Sequence, residues 1–177
     1  YPTFSPSWNN KMSKGGFNSP ELIVIAAPPK GGKTSCLIQL AMHYVVNIGL
    51  KGVYVDWENG LKNIKLKCQQ AVTHHRLKDY KDVGKHPEIL GGLQNARALN
   101  GDLLMVGAKA RSTTLAEIYS IIDFHKNTRG FTPDFIIYDS LDIAAPRDRK
   151  IDRRHQITEL YFEAIAYNTE HKTFAFT

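Results

Sequence analysis

Cysteine is scarce in this chain of 177 residues: Cys36 and Cys68 are the two present, and neither stands in a CxxC or Cys/His spacing. A disulfide framework and a thiolate zinc site are thereby excluded as sources of stability, and a reducing cytosol is the expected setting. Long apolar runs are lacking too. None approaches the ~18 residues of a membrane-spanning helix. The opening stretch YPTFSPSWNNKMSKGG carries no apolar segment of the signal-peptide kind. The expectation is a cytoplasmic protein with no membrane partner. No segment recurs at a period of roughly 20–50 residues, and no tract is of low complexity. The histidines fall in no metal-ligand spacing, since adjacent His74 and His75 would leave a helix on different sides.

What is present has ordinary globular proportions. Hydrophobic residues make up 42% and charged residues 23%, and the length suits one domain with a single core. With 23 basic against 17 acidic residues the formal charge is +6, a mild bias toward an anionic partner.

Strand and helix patterns alternate along the chain. ELIVIAA (21–27), GVYVDWE (52–58), DLLMVGA (102–108), PDFIIYDS (133–140) and KTFAFT (172–177) read as strands. Apolar residues at helical spacing predict helices from Lys33 to about Ile48 and from Leu61 to about His74. A third runs from the capping box Thr114/Glu117 to Gly130, and a fourth from about Ile157 to Glu170. Residues 75–101 show no clean period and leave room for one short helix. This alternation predicts an α/β fold, a mainly parallel sheet with helices on both faces.

The stretch AAPPKGGKTSCLIQL (26–40) joins the first strand to the first helix, which is the context a phosphate-binding loop requires. Backbone N–H groups of such a loop, together with the following helix N-terminus, form a cavity for polyphosphate. The candidate nucleotide-binding residues are Ala27, Pro28, Pro29, Lys30, Gly31, Gly32, Lys33, Thr34 and Ser35. Lys33 would reach the β and γ oxygens of ATP, and the Thr34 hydroxyl would face Mg²⁺. The general motif has Gly where this chain has Ala27. The alternative is a Gly/Pro turn with a solvated Lys33.

Two carboxylates would complete the site at the same edge of the sheet. Asp139 ends the strand FIIYD and is the candidate Mg²⁺ ligand; otherwise it caps a turn. Glu58, after the second strand, is the candidate catalytic base alongside Lys33; otherwise it is an exposed residue of an ENG turn.

A polar loop at 145–156 carries Arg147, Arg149, Lys150, Arg153 and Arg154, interspersed with Asp148 and Asp152. Such a loop suits a nucleic-acid backbone, or else a solvated surface or subunit contact. A second basic group, Lys62, Lys65 and Lys67 with His74, His75 and Arg76, reads as the outer face of a helix.

Taken together, these stretches resemble the RecA-like ATPase core of DnaB-type replicative helicases, especially phage versions, over essentially the whole chain. LIVIAAPPKGGKT is similar to that family's Walker A segment, where Ala commonly holds the first position and Pro the third. VYVDWENG resembles its strand ending in the catalytic Glu, here Glu58, and GFTPDFIIYDSLDI its Walker B strand, here with Asp139. The resemblance implies an ATP- and Mg²⁺-dependent P-loop NTPase acting in DNA replication on single-stranded DNA. It further implies a hexameric homo-oligomer, with primase or other replication proteins as partners, in a bacterial host cell if phage-encoded. It places the 145–156 loop at a central channel. Residues 1–177 would form a single RecA-like ATPase domain, with the family's Gln/Arg motif and arginine finger corresponding to positions past Thr177. The alternative is a RecA-like recombinase or plasmid-replication module whose nucleotide controls assembly without unwinding. A small-molecule kinase is disfavoured by Glu58, because such enzymes need no water-activating carboxylate there.

Overall fold

Lys51–Asp56 (β2) is apolar on both sides: Val53 and Val55 face one way and Tyr54 the other, so the strand needs cover on both faces. The computed structural model, which describes residues 1–12, 15–28, 30–97 and 101–177, supplies that cover. Among the described residues the sheet has five strands, all paired in parallel. They are β1 (Leu22–Ile23), β2, β3 (Asp102–Gly107), β4 (Phe135–Asp139) and β5 (Phe174–Phe176), in the order β1-β5-β4-β2-β3.

Six α-helices among the described residues accompany them: α1 (Pro6–Lys11), α2 (Lys33–Met42), α3 (Leu61–Thr73), α4 (His86–Arg97), α5 (Leu115–Arg129) and α6 (Arg153–His171). Alternate strand residues feed two half-cores. Val53, Val55, Ile136 and Tyr138 pack with Leu115, Ile118 and Leu160 from α5 and α6. Tyr54, Phe135, Ile137, Phe174 and Phe176 pack with Leu37 and Leu40 of α2, with Tyr44 from its π-helical continuation His43–Ile48, and with Ile64 of α3. This is the expected α/β fold, with helices on both faces. Because all five strands run parallel, the carboxyl ends of those bearing the candidate residues lie at one edge, where ligands of open parallel sheets bind.

Local signals behave as the physics requires in some places. Thr114 and Glu117 form the expected reciprocal capping box on α5, which ends at Gly130 in a left-handed conformation. In others they mislead. The first strand pairs only over Leu22–Ile23, flanked by bonds from the Ala175 N–H to the Glu21 carbonyl and from the Ile25 N–H to the Thr177 carbonyl, each 2.7 Å. Beyond it the chain leaves the sheet, and Pro28 has no N–H to donate. Helix α6 begins at Arg153 rather than Ile157, because Asp152 caps it by accepting from the N–H groups of Arg154 and His155. Cations in a first turn oppose the helix dipole, so the sequence reads as loop. Helix α4 emerges where the sequence shows no period, since Ile89 is its one buried apolar side chain among the described residues. Helix α1, capped by Ser5 with Pro6 in its first turn, has no counterpart among the expected elements. Among the described residues no helix is long and apolar enough to cross a membrane.

Candidate nucleotide-binding site

The loop between β1 and α2 is shaped by two glycines. The Gly31 N–H donates to the Pro28 carbonyl at 2.8 Å, and a Cβ on Gly31 would lie 2.7 Å from that same oxygen, so a side chain does not fit. Gly32, at φ +86, has the left-handed conformation that glycine adopts freely, and it leads into α2 without a side-chain cap. The first turn of α2 therefore presents N–H groups that lack intrahelical partners, aligned with the positive end of the helix dipole.

Ala27, Pro28, Lys30, Gly31, Gly32, Lys33, Thr34 and Ser35 form one wall of a cleft of ≈ 650 Å³. That volume falls within the ~300–1,000 Å³ of small-molecule sites. Pro29 lies outside the described residues. The facing wall is made by Glu58, Asn59, Lys67, Ser140 and Asp142. Glu58 is exposed and lies across the cleft from the loop. The Lys33 ammonium spans the cleft and donates to the Ser140 hydroxyl at 2.7 Å.

Sequence reasoning missed the residue that builds the Glu58 turn. Asp56, at the end of β2, is 2% exposed. Its Oδ1 accepts from the N–H groups of Glu58 at 3.4 Å and Asn59 at 3.0 Å, and from the Asn59 amide at 3.2 Å. Its Oδ2 accepts from the Gly60 N–H at 2.6 Å. The intervening Trp57 points away, stacks on Tyr138 and donates its backbone N–H to the Asp139 carbonyl at 2.9 Å. A D-x-E spacing at a strand end was the available signal: the first carboxylate folds back on the turn and the second projects from it. Lys67 was also missed. The sequence groups it with Lys62 and Lys65 on an outer face; those two are exposed, whereas Lys67 is half-buried in the cleft wall.

Asp139 is fully buried, one residue behind the wall formed by Ser140. Its Oδ2 accepts from the Tyr54 hydroxyl at 2.9 Å and, at 3.5 Å, from the Asn59 amide. Its Oδ1 has no hydrogen-bond partner among the described residues. A carboxylate oxygen removed from water and left without a donor is costly, and a divalent cation is a partner that would satisfy it. The donor set therefore fits Mg²⁺, with the half-buried, hydroxyl-bearing Thr34 on the loop's wall of the cleft.

The basic segment is divided by the start of α6. Arg153 and Arg154 belong to the helix, not to the loop; Arg147, Arg149 and Lys150 precede it. Arg147 pairs with Glu163 at 3.0 Å. Arg153 donates to the Asp142 carbonyl and, at 3.3 Å, to the Gln156 side chain. Arg149 and Arg153 line a separate hollow of ≈ 510 Å³ with Arg111, which lies outside the 145–156 segment.

No protein-family model matches the chain, and no curated protein sequence does. Solved structures do. The ATPase domain of a phage helicase superposes with a TM-score of 0.76 at 14% identity, covering 97% of this chain and 60% of that one. A DnaB-like replicative helicase, solved in a study of its interactions with primase, gives 0.73 at 15% identity, covering 94% and 41%. The chain thus spans less than two thirds of the length of each, and at such identity the likeness speaks to architecture. The chain shares the fold of these helicase ATPase domains, a parallel sheet with helices on both faces.

Proposed function

We propose that the chain is the ATP-hydrolysing motor domain of a ring-forming replicative DNA helicase that moves along single-stranded DNA. One observation carries this reading: the loop at 27–35, Lys33 and Thr34 share a cleft with Glu58, in front of a buried Asp139 with an unpartnered oxygen. The helicase ATPase fold of the matched structures supports it. In this reading the uncapped N–H groups of α2 hold phosphate oxygens, and Lys33 leaves Ser140 to meet the β and γ oxygens. Glu58 orients a water and takes its proton. Mg²⁺ held by Thr34 and Asp139 would neutralise charge building on the phosphates. A hexameric ring, single-stranded DNA, and primase or other replication proteins are the partners that the reading entails.

The test separates binding from chemistry. A ligand at a hundredfold excess over its dissociation constant stabilises the native state by about 2.7 kcal/mol. For a domain of this size that is roughly 5–10 °C in melting temperature. ATP with Mg²⁺ should produce this shift, and Lys33→Ala should abolish most of it. Glu58→Gln should keep the shift while hydrolysis by the assembled protein falls by about 10²–10⁴. Absence of any shift in the unmutated protein at millimolar ATP refutes the reading. Normal hydrolysis by Glu58→Gln refutes the role given to that residue.

A further inference from the structure

Two carboxylates face each other across adjacent strands, and the fold treats them unequally. Asp56 and Asp139 are register partners in β2 and β4, so their side chains emerge on the same face of the sheet, and both are buried. Carboxylates so placed repel unless each has donors of its own. Both oxygens of Asp56 are occupied by donors from its own turn. Asp139 has donors on Oδ2 alone, the closer being Tyr54.

Packing does not account for the Tyr54 hydroxyl. The other large sheet side chains in this half-core are Phe135, Ile137, Phe174 and Phe176, all hydrocarbon, and a Phe at 54 would fill the same space. Facing a carboxylate oxygen, which can only accept, the Tyr54 hydroxyl is the donor of their 2.9 Å bond. Among the described residues the hydroxyl has one partner, the oxygen it locks.

We propose that Tyr54 is a positioning residue for the divalent cation of the bound nucleotide: by fixing Asp139 Oδ2 it leaves Oδ1 as the oxygen free for the cation or a water of its shell. Asn59, reaching the same Oδ2 from the turn that carries Glu58, joins that turn to the held carboxylate. Asp56, although level with Asp139 and likewise a carboxylate, takes no part, because its oxygens are already filled. The inference rests on the nucleotide reading of the cleft and adds a residue remote from its walls.

The experiment measures two affinities by calorimetry and by the paramagnetic resonance of Mn²⁺: ADP in the presence of EDTA, and Mn²⁺ in the presence of saturating ADP. Tyr54→Phe should bind ADP in EDTA as the parent does, yet lose about 10–100-fold in Mn²⁺ affinity, as when other partners that orient a ligand carboxylate are removed. On an Asp139→Asn background the same change should cost nothing further. Asn59→Ala, at the cleft surface, should shift Mn²⁺ affinity in the same direction and serves if Tyr54→Phe is poorly folded by circular dichroism. Parental Mn²⁺ affinity in both variants overturns the proposal, as does an undiminished loss on the Asp139→Asn background. A loss of ADP affinity in EDTA as large as the loss of Mn²⁺ affinity also overturns it, since that is the mark of a packing role. Failure of the unmutated chain to bind ADP at all overturns the nucleotide reading itself, and this inference with it.

Discussion

The Asp56 carboxylate accepts a hydrogen bond from the Gly60 N–H at 2.6 Å, closing the turn from which Glu58 projects. Three backbone N–H groups and one side-chain amide converge on this single side chain. The position of the candidate base is therefore set by a residue that never reaches the cleft wall. Strand β2 supplies a rigid end, Asp56 folds the chain back over it, and Glu58 is presented to the phosphate loop.

Asp56→Ala should consequently damage stability and chemistry but not nucleotide binding. The partly buried N–H groups it serves would be left to imperfect solvation, at a cost of about 2–3 kcal/mol. In a domain of this length that lowers the melting temperature by roughly 4–12 °C. The nucleotide-induced shift should persist, because Lys33 and Thr34 stand on a different element, while hydrolysis should drop as Glu58 loses its fixed position. A variant that melts like the parent and hydrolyses normally would show that the turn holds itself.

Lys67 brings a second ammonium to the cleft from α3, and it should contribute to binding in proportion to ligand charge. A hydrogen bond to an ionised group contributes about 1.5–3 kcal/mol. Lys67→Ala should therefore weaken a triphosphate by roughly 10–100-fold and adenosine hardly at all. The comparison is made by calorimetry in EDTA. Equal effects on both ligands, or none on either, would place Lys67 with the exposed Lys62 and Lys65 as a surface residue.

The parts of the site that could be read in the sequence are those whose chemistry is local. A loop needing Gly31 and Gly32, a helix starting at Lys33 and an apolar strand ending in Asp139 each announce themselves within a few residues. Asp56 and Glu58 do not separate that way. They are two carboxylates at one strand end, and which is buried depends on how the turn folds over the register pair Asp56 and Asp139. The insertion of β5 between β1 and β4 is equally invisible, since it rests on pairings such as Leu22 with Ala175 and Ile136 with Ala175. Tyr54 reads as one more strand aromatic because its distinguishing bond is to a residue on the neighbouring strand. The start of α6 is hidden by arginines that the helix dipole disfavours and Asp152 overrides.

That helix start also changes which cations are suited to nucleic acid. The guanidinium of Arg147 is paired with Glu163, and that of Arg153 is engaged by Asp142 and Gln156. Among the described residues Arg111 and Arg149 line the same hollow with no ion-pair partner. If the hollow takes the phosphates of a single strand, each cation contributes about 0.7 to the slope of log affinity against log salt. Arg111→Ala with Arg149→Ala should then flatten that slope by about 1.4 and weaken oligodeoxynucleotides of different sequence alike, because phosphate contacts carry no base information. Fluorescence anisotropy over a salt series measures both. Replacing Arg147 instead should break a surface ion pair of little energetic weight and leave the slope as it was. A flattened slope in the Arg147 variant with none in the Arg111 and Arg149 pair would move the strand to the other side of the loop, against Glu163 and the outer face of α6.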